Sequence, residues 1–168
     1  MNIVLLAPEI PFNTGAIGRT CVATDSTLHL IRPLGFSLED KYIKRSGLDY
    51  WSKLRVRVYD NYETFLIEND NPTVYMATTK ARRTYADVRY APADYIMFGR
   101  ESAGIPEELL TANEEHCIRI PMAADNRSLN LSNAVAVILY EALRQQAFSG
   151  LSEAGDLHRL QWPSSGKV

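Results

Sequence analysis

The sequence has few cysteines and no long apolar run, and both shortages narrow the class of protein. Cys21 and Cys117 are its two cysteines and lie far apart, so neither a disulfide framework nor a zinc-binding spacing is present. No apolar stretch approaches the roughly 20 residues that cross a bilayer. Met1 leads directly into a short apolar strand without a basic segment, so we expect no signal peptide and a cytoplasmic protein.

An excess of charge of one sign is also absent. The 168 residues carry a net charge of −2, which argues against a uniformly basic nucleic-acid-binding protein. Basic side chains nevertheless gather in two clusters, within residues 41–57 and 80–89. Each cluster is compatible with a phosphate-binding surface and with an ordinary solvated face. The clusters consist of Lys41, Lys44, Arg45, Lys53, Arg55 and Arg57, and of Lys80, Arg82, Arg83 and Arg89.

The apolar residues, by contrast, are numerous and regularly placed. They make up 46% of the chain, which is enough for one real core. Strand and helix patterns alternate throughout, which predicts an α/β fold with a mostly parallel sheet and helices on both faces. The predicted strands cover residues 2–7, 27–31, 54–58, 73–78, 95–98 and 116–120, and the predicted helices cover 13–24, 38–45, 62–69, 105–112 and 131–148. We expect one domain over 1–148, followed by a mobile tail over 149–168.

The last predicted helix, 131–148, is apolar on more than one side. An amphipathic surface helix has a single apolar stripe. This pattern indicates a helix that is central to the core or that is also covered by a partner.

The segment that precedes this helix is unusually polar. A helix cap needs one Ser, Asn or Asp, whereas this connection holds seven hydrogen-bonding side chains. The excess favours a site that binds a polar ligand, with simple capping as the alternative. The seven are Asp125, Asn126, Arg127, Ser128, Asn130, Ser132 and Asn133.

A second polar segment, Pro8 to Arg19, follows the first predicted strand, where open α/β sheets present ligand sites. It lacks the G-x-G-x-x-G spacing of a Rossmann dinucleotide site. Gly15 and Gly18 permit close approach to the helix start, and Asn13 is suited either to cap the helix or to bind a ligand. Arg19 offers a forked donor for phosphate, with an ordinary surface arginine as the alternative.

A third segment, Phe98 to Pro106, reads as a strand, a glycine-bounded turn and a helix start. Gly99 and Gly104 allow a positive φ or a close backbone approach. The amides of such a turn can receive the polar edge of a ligand, or can stabilise the carboxylate of Glu101.

Together these three segments resemble the SPOUT family of RNA methyltransferases over about residues 1–148. The signatures are Asn13-x-Gly15-x-x-x-Arg19, Gly99-x-Glu101-x-x-Gly104, and Ile120-Pro-Met122 followed by Ser128-x-Asn130-x-x-x-Ala134. The stretches Gly47-Leu-Asp-Tyr50 and Arg127 to Ala134 are most similar to members that 2′-O-methylate the wobble nucleotide of tRNA.

The resemblance implies a fold and a cofactor that composition does not. Family members tie the C-terminal part of the sheet into a deep trefoil knot, a rare exception to unknotted topology. S-adenosylmethionine binds in the knotted loops and leaves as S-adenosylhomocysteine. The family also implies a homodimer through the first and last helices, with Arg19 reaching the partner's donor site. The donor-site residues carried over from the family are Ala77, Gly99, Ile120, Met122 and Ser128.

The resemblance also implies a reaction, methyl transfer to the ribose of C34 or a modified U34 in the tRNA anticodon stem-loop, with leucine tRNAs as expected substrates. We expect no metal. Arg19 is interpreted as an electrostatic and phosphate clamp, because a guanidinium keeps its proton at ordinary pH. Arg127 and Asn130 are expected to place the nucleotide. The alternatives are a base methyltransferase on the same fold, with Asp125 as its candidate carboxylate, and a non-catalytic RNA-binding module.

Overall fold

The computed structural model describes residues 1–38, 51–125 and 127–163. All of its named strands lie in one parallel sheet. Within these residues the sheet has seven strands in the order β3-β2-β1-β6-β4-β7-β5. Each pairing between strands is parallel. The strands are β1 (Asn2–Leu6), β2 (Thr27–Ile31), β3 (Arg55–Tyr59), β4 (Val74–Ala77), β5 (Arg83–Thr84), β6 (Tyr95–Phe98) and β7 (Cys117–Arg119).

Three α-helices connect strands in the described part of the chain, and a fourth follows the last strand. They are α1 (Pro11–Ala23), α2 (Tyr62–Glu68), α3 (Glu107–Ala112) and α4 (Leu131–Gln145), with 3₁₀ turns at Trp51–Lys53 and Glu114–His116. α4 ends three residues before its predicted end, since Ala147 and Phe148 take positive φ values of 52° and 48°. Residues 39–45 of the helix predicted over 38–45 lie outside the described residues, as does the Gly47–Tyr50 stretch.

The sheet has a core on each face, which confirms the predicted α/β class. Ile3 and Leu5 of β1 pack in one cluster with residues of α1 and α4. Val4, between them, packs in the other cluster with residues of α2 and α3. Successive side chains of a strand point to opposite faces, so a strand covered on both sides reads as one continuous apolar run.

β5 is a strand that the sequence did not predict. No strand or helix was predicted within residues 79–94, yet Arg83 and Thr84 pair with Ile118 and Arg119 of β7 at the sheet edge. The strand is two residues long and its side chains are exposed or half-buried. Because neither side chain is buried, no apolar alternation marks it in the sequence.

The segment between β5 and β6 lies against α4. Val88 and Tyr90 are buried in the cluster that contains the apolar face of α4. The Tyr90 amide donates to Oε1 of Gln145 at 3.1 Å, and Nε2 of Gln145 donates to the carbonyl of Val88 at 3.0 Å. These contacts hold α4 against a segment that is distant from it in sequence. The C-terminal trefoil knot itself stays a prediction.

Residues 149–163 contain neither helix nor strand. Leu151 packs against the core, whereas Leu160 and Trp162 are 74% and 64% exposed. The mobility expected of this tail stays a prediction. Among the helices of the described ranges, none is long and apolar enough to cross a bilayer.

Candidate active site

Four loops meet at the carboxyl edge of the sheet. They follow β1, β4, β6 and β7, which are neighbours in the strand order. The carboxyl ends of parallel strands share one edge, where open α/β sheets present their ligand sites. A cavity of about 510 Å³ lies at this edge, bordered by all four loops and by the first turns of α4.

The cavity brings together all five residues that the family resemblance nominated for the donor. Ala77, Gly99, Ile120, Met122 and Ser128 each line it, although they come from the end of β4 and from the loops after β6 and β7. Apolar side chains form much of its wall, among them Phe98, Ile118 and Ile138. The cavity therefore offers an apolar interior with small polar groups at particular points, the usual make-up of a small-molecule site.

Asn130 both lines this cavity and caps α4. Its Oδ1 accepts from the amides of Ser132 at 2.9 Å and Asn133 at 3.4 Å. Its Nδ2 donates to Oδ1 of Asn13 at 3.1 Å. Asn126 lies outside the described residues; among the other six polar residues of this loop, the capping alternative is confirmed for Asn130, and the cap is tied to α1.

Glu101 joins the loop after β6 to the loop after β1. Its carboxylate accepts from the amides of Glu9 at 2.9 Å and Ile10 at 3.3 Å, and from Nδ2 of Asn13 at 3.0 Å. The alternative that the amides of its own turn stabilise Glu101 is therefore not what the structure shows. The donors come from the other loop because β1 and β6 are adjacent in the sheet.

Glu9 makes the reciprocal contact, from the loop after β1 to the loop after β6. Its carboxylate accepts from the amide of Ser102 at 2.9 Å and from its hydroxyl at 2.8 Å. These two bonds, followed by the charge of Arg100, lower the pKa of the Glu9 carboxyl. The crossed pair Glu9 and Glu101, called here the carboxylate latch, fixes one wall of the cavity against the start of α1.

Asn13 does not cap α1, as one sequence interpretation had it. The helix begins at Pro11, and the preceding Ile10 makes no side-chain cap bond. Pro is well suited to a first helical position because its missing N–H would have no partner there. Asn13 lies two residues further along and is 5% exposed, and its amide bridges Glu101 and Asn130 instead.

The two glycines of the turn, Gly99 and Gly104, are required for different structural reasons. A Cβ on Gly99 would lie 2.1 Å from the carbonyl carbon of Gly104 and 2.3 Å from its oxygen. Gly104 has a φ of +72°, and its amide donates to the Arg100 carbonyl at 2.8 Å. The close approach predicted for Gly99 is confirmed, but the neighbour is the backbone of the same turn.

Arg19 and Arg127 are exposed and do not line the cavity of their own chain. Arg19 lies on α1, and Arg127 lies in the loop before α4. The structure thus groups Asn130 with the five donor-site residues and leaves both arginines outside that group.

Among the polar residues of the cavity, Thr78, Thr79 and Ser102 were not singled out from the sequence, and Lys80 was named only as part of the second basic cluster. Lys80 forms an ion pair with Glu107, and Arg82 forms one with Glu114. Within the described ranges, much of the second basic cluster thus faces acidic groups. The acid-rich stretch 107–115 was a signal in the sequence, but its pairing depends on which strands are neighbours.

The first basic cluster is described only from Lys53 onward, since Lys41, Lys44 and Arg45 lie outside the described residues. Arg55 bonds to Asp25 at 2.9 Å. In the described parts of the chain, His, Cys, Asp and Glu side chains form no group of three or more that could hold a metal ion.

Comparison with known proteins identifies a matching family and similar solved structures. The model of the SpoU rRNA methylase family matches residues 1–140. A tRNA (cytidine(34)-2′-O)-methyltransferase of Escherichia coli K12 is 47% identical over 152 residues, covering 89% of this chain and 96% of its own. A structure described as giving insights into 2′-OH methylation of C/U34 on tRNA superposes with a TM-score of 0.83 at 42% identity, covering 87% of this chain and 95% of its own.

A more distant structure shares the fold alone. The SpoU methyltransferase AviRb from Streptomyces viridochromogenes superposes with a TM-score of 0.79 at 22% identity, over 88% of this chain and 58% of its own. That protein was solved in complex with the cofactor AdoMet.

Proposed function

This chain belongs to the SpoU family of RNA methylases, and on that premise we propose that it 2′-O-methylates the ribose of nucleotide 34 in tRNA, in the cytoplasm, with S-adenosylmethionine as donor. C34 and modified U34 are the proposed targets, with leucine tRNAs among the substrates. S-adenosylhomocysteine is the second product.

One observation carries the proposal: the five nominated donor residues, from the end of β4 and from the loops after β6 and β7, line a single cavity. The chemistry of the lining fits the donor. Ile118, Ile120 and Ile138 offer apolar contact to a purine ring, and Ser128 offers a hydroxyl. A volume of about 510 Å³ falls within the usual range for small-molecule sites. When bound, the donor supplies a methyl group already activated by its sulfonium.

The residues of this chain must then place the ribose hydroxyl and manage its proton. Glu101 is poorly suited to be the base, because its carboxylate already accepts three N–H bonds. We assign Arg19 to stabilise the negative charge that develops on the 2′-oxygen, because a guanidinium cannot accept the proton but can offset that charge, and the proton passes to a water molecule. Arg127 and Asn130 are proposed to orient the nucleotide beside it.

Arg19 needs a second copy of the chain to reach a donor cavity. It lies on α1 outside the cavity of its own chain, and α1 packs against α4. Both helices expose apolar side chains, with Phe12 at 68%, Tyr140 at 46% and Val137 at 38%. We propose that a homodimer covers this face and presents Arg19 to the partner's cavity. The C-terminal trefoil knot implied by the family belongs to the same proposal.

The base-methyltransferase alternative receives no support from the cavity. Asp125, its candidate carboxylate, is exposed and does not contribute to the described lining. A non-catalytic RNA-binding module need not bind the donor, whereas an enzyme must, so donor binding distinguishes the two.

The experiment is single-turnover methyl transfer to an anticodon stem-loop, followed by nucleoside mass spectrometry. We expect a 2′-O-methyl group at position 34 with the wild-type chain. Substrates carrying 2′-deoxyribose at that position should not react. A methyl group found on a base, or donor binding without any transfer to tRNA, would contradict the proposal.

Arg19→Ala should lower the single-turnover rate roughly a hundred- to thousandfold, since removing a preorganised group from a developing oxyanion typically costs about 3 to 4 kcal/mol. Donor affinity, measured by calorimetry, should stay nearly unchanged. Arg19→Lys should restore only part of the rate, because a point charge does not replace a forked donor. A variant that loses donor affinity but turns over normally would overturn the assigned role.

A further inference from the structure

An ion pair between Lys80 and Glu107 lies at the rim of the cavity. Along residues 77–80, burial falls from the half-buried Ala77 and Thr78 to the exposed Thr79 and Lys80. Lys80 lines the cavity, and its Nζ lies 2.5 Å from Oε1 of Glu107. A neighbouring groove shares Thr78 and Lys80 with the cavity and is also lined by Glu107. The pair therefore lies at the boundary between the cavity and that groove.

The proposed donor has two ends with opposite requirements. Its purine gains from an apolar interior, whereas its aminocarboxylate carries one positive and one negative charge. Burying either charge without a partner is costly, so the aminocarboxylate belongs at the solvated rim beside charged groups. The rim pair offers one charge of each sign.

Other cations near the cavity are less suited to this end of the donor. Arg100 lines the cavity, but its charge acts on Glu9, where it contributes to the lowered pKa. Arg82 and Arg83 line the neighbouring groove and not the cavity. Arg82 is bonded to Glu114. Among the described residues, Lys80 is thus the cavity cation that forms an ion pair with an acidic side chain.

We propose that Lys80 and Glu107 recognise the aminocarboxylate of the donor, with Lys80 taking the carboxylate and Glu107 the ammonium group. The pair acts in specificity and affinity, not in the transfer of the methyl group. Its side chains are 52% and 72% exposed, and exposed pairs contribute little to stability. Exchanging the internal contact for contacts with the ligand therefore costs little. This inference rests on the proposed donor site.

Three adenosine ligands separate the contributions. S-adenosylhomocysteine carries the whole aminocarboxylate, decarboxylated S-adenosylmethionine keeps only the ammonium group, and 5′-methylthioadenosine has neither. By calorimetry, Lys80→Met should weaken S-adenosylhomocysteine roughly tenfold, about 1.4 kcal/mol, and leave 5′-methylthioadenosine unchanged. Glu107→Gln should weaken the decarboxylated ligand, while Lys80→Met should not. Lys80→Arg should retain most of the affinity for S-adenosylhomocysteine.

Arg82→Met is the matched control, since it breaks an exposed pair in the same loop without touching the cavity. It should change none of the three affinities. Equal losses for S-adenosylhomocysteine and 5′-methylthioadenosine in Lys80→Met, or no loss for either, would overturn the inference.

The wild-type chain distinguishes this inference from the proposed function. If it binds none of the three ligands, the donor site itself is wrong. If it binds S-adenosylhomocysteine and 5′-methylthioadenosine equally well, the donor site stands and the role of the rim pair is refuted.

Discussion

Single residues of the 99–104 turn have little freedom to change. Gly99 faces the backbone of Gly104, and Gly104 needs a positive φ. The turn forms one wall of the cavity, and the carboxylate latch holds it against the start of α1. Substitutions at these two glycines should therefore affect ligand binding through the conformation of the turn.

Gly99→Ala should abolish donor binding, because its methyl group cannot fit beside backbone that lies about 2 Å away. Overpacking of this kind typically costs 1 to 3 kcal/mol, and Gly104→Ala should cost about 1 to 2 kcal/mol through its φ. Urea unfolding and calorimetry measure the two effects. Gly155→Ala, with open space around its Cβ, is the control. Normal donor affinity in a folded Gly99→Ala protein would contradict this account.

His29 is another residue whose surroundings determine its chemistry. Its Nδ1 lies 2.8 Å from the Tyr59 hydroxyl and its Nε2 lies 3.3 Å from Oδ1 of Asn2. Aromatic rings of Tyr59, Phe65 and Tyr95 surround it. Burial, and then the charge of Arg57, lowers the pKa of His29 to about 4. The imidazole is therefore neutral in the folded protein at physiological pH.

Stability should consequently fall in acid through His29. In the unfolded chain the pKa of His29 is about 6.5. Below that pH the unfolded state binds a proton that the folded state binds only at lower pH. The loss develops between about pH 6.5 and 4 and reaches about 3 kcal/mol. Urea unfolding at a series of pH values measures it, and His29→Gln should flatten the slope relative to wild type. Parallel slopes for the two proteins would refute the prediction.

At the scale of elements, hydrogen bonds between loops position α1 and α4 around the cavity. Asn130 caps α4 and donates to Asn13, which in turn donates to Glu101. These three bonds connect the loops that follow β1, β6 and β7. A change at the α4 cap should therefore affect the cavity as well as the helix.

Asn130→Ala should lower stability by about 1 kcal/mol through loss of the cap, and it should also weaken donor binding. Asn61→Ala is the matched control, because Asn61 caps α2 with a 2.8 Å bond to the Thr64 amide on the other face of the sheet. It should cost similar stability and leave donor affinity intact. If both variants bind the donor equally well, the hydrogen bonds that connect Asn130, Asn13 and Glu101 do not affect the cavity.

At the scale of the whole molecule, the exposed apolar face on α1 and α4 raises the question of a partner. Leu139 and Leu143 of α4 are buried in the core of their own chain, at 0% and 5% exposure. The residues left for a partner are on a different side of the helix, including Val137 and Tyr140. The apolar surplus noted in the sequence is thus divided between the core and the surface.

Tyr140→Glu should convert the proposed dimer into a monomer and remove methylation, because it strands an unpaired charge in the interface. Light scattering at micromolar concentration measures the mass. Ile67→Glu changes an equally apolar residue, 73% exposed on α2 at the opposite face, and should leave the dimer intact. A fully active wild-type monomer would end this idea.

The sequence by itself determined the elements whose side chains are buried on both faces. The bounds of β2 and β6 match the prediction, because an apolar run bounded by polar residues marks a buried parallel strand. It also nominated five of the residues that line the cavity, through a resemblance in motif and spacing.

Only the tertiary structure decided which polar groups meet. The partners of Glu101 come from Glu9, Ile10 and Asn13, roughly ninety residues away, and Lys80 finds Glu107. β5 joins the sheet by backbone pairing with β7. Apolar burial leaves a periodic pattern along the chain, whereas hydrogen bonds between loops depend on strand order. Strand order is set by packing of the whole sheet, and no local pattern encodes it.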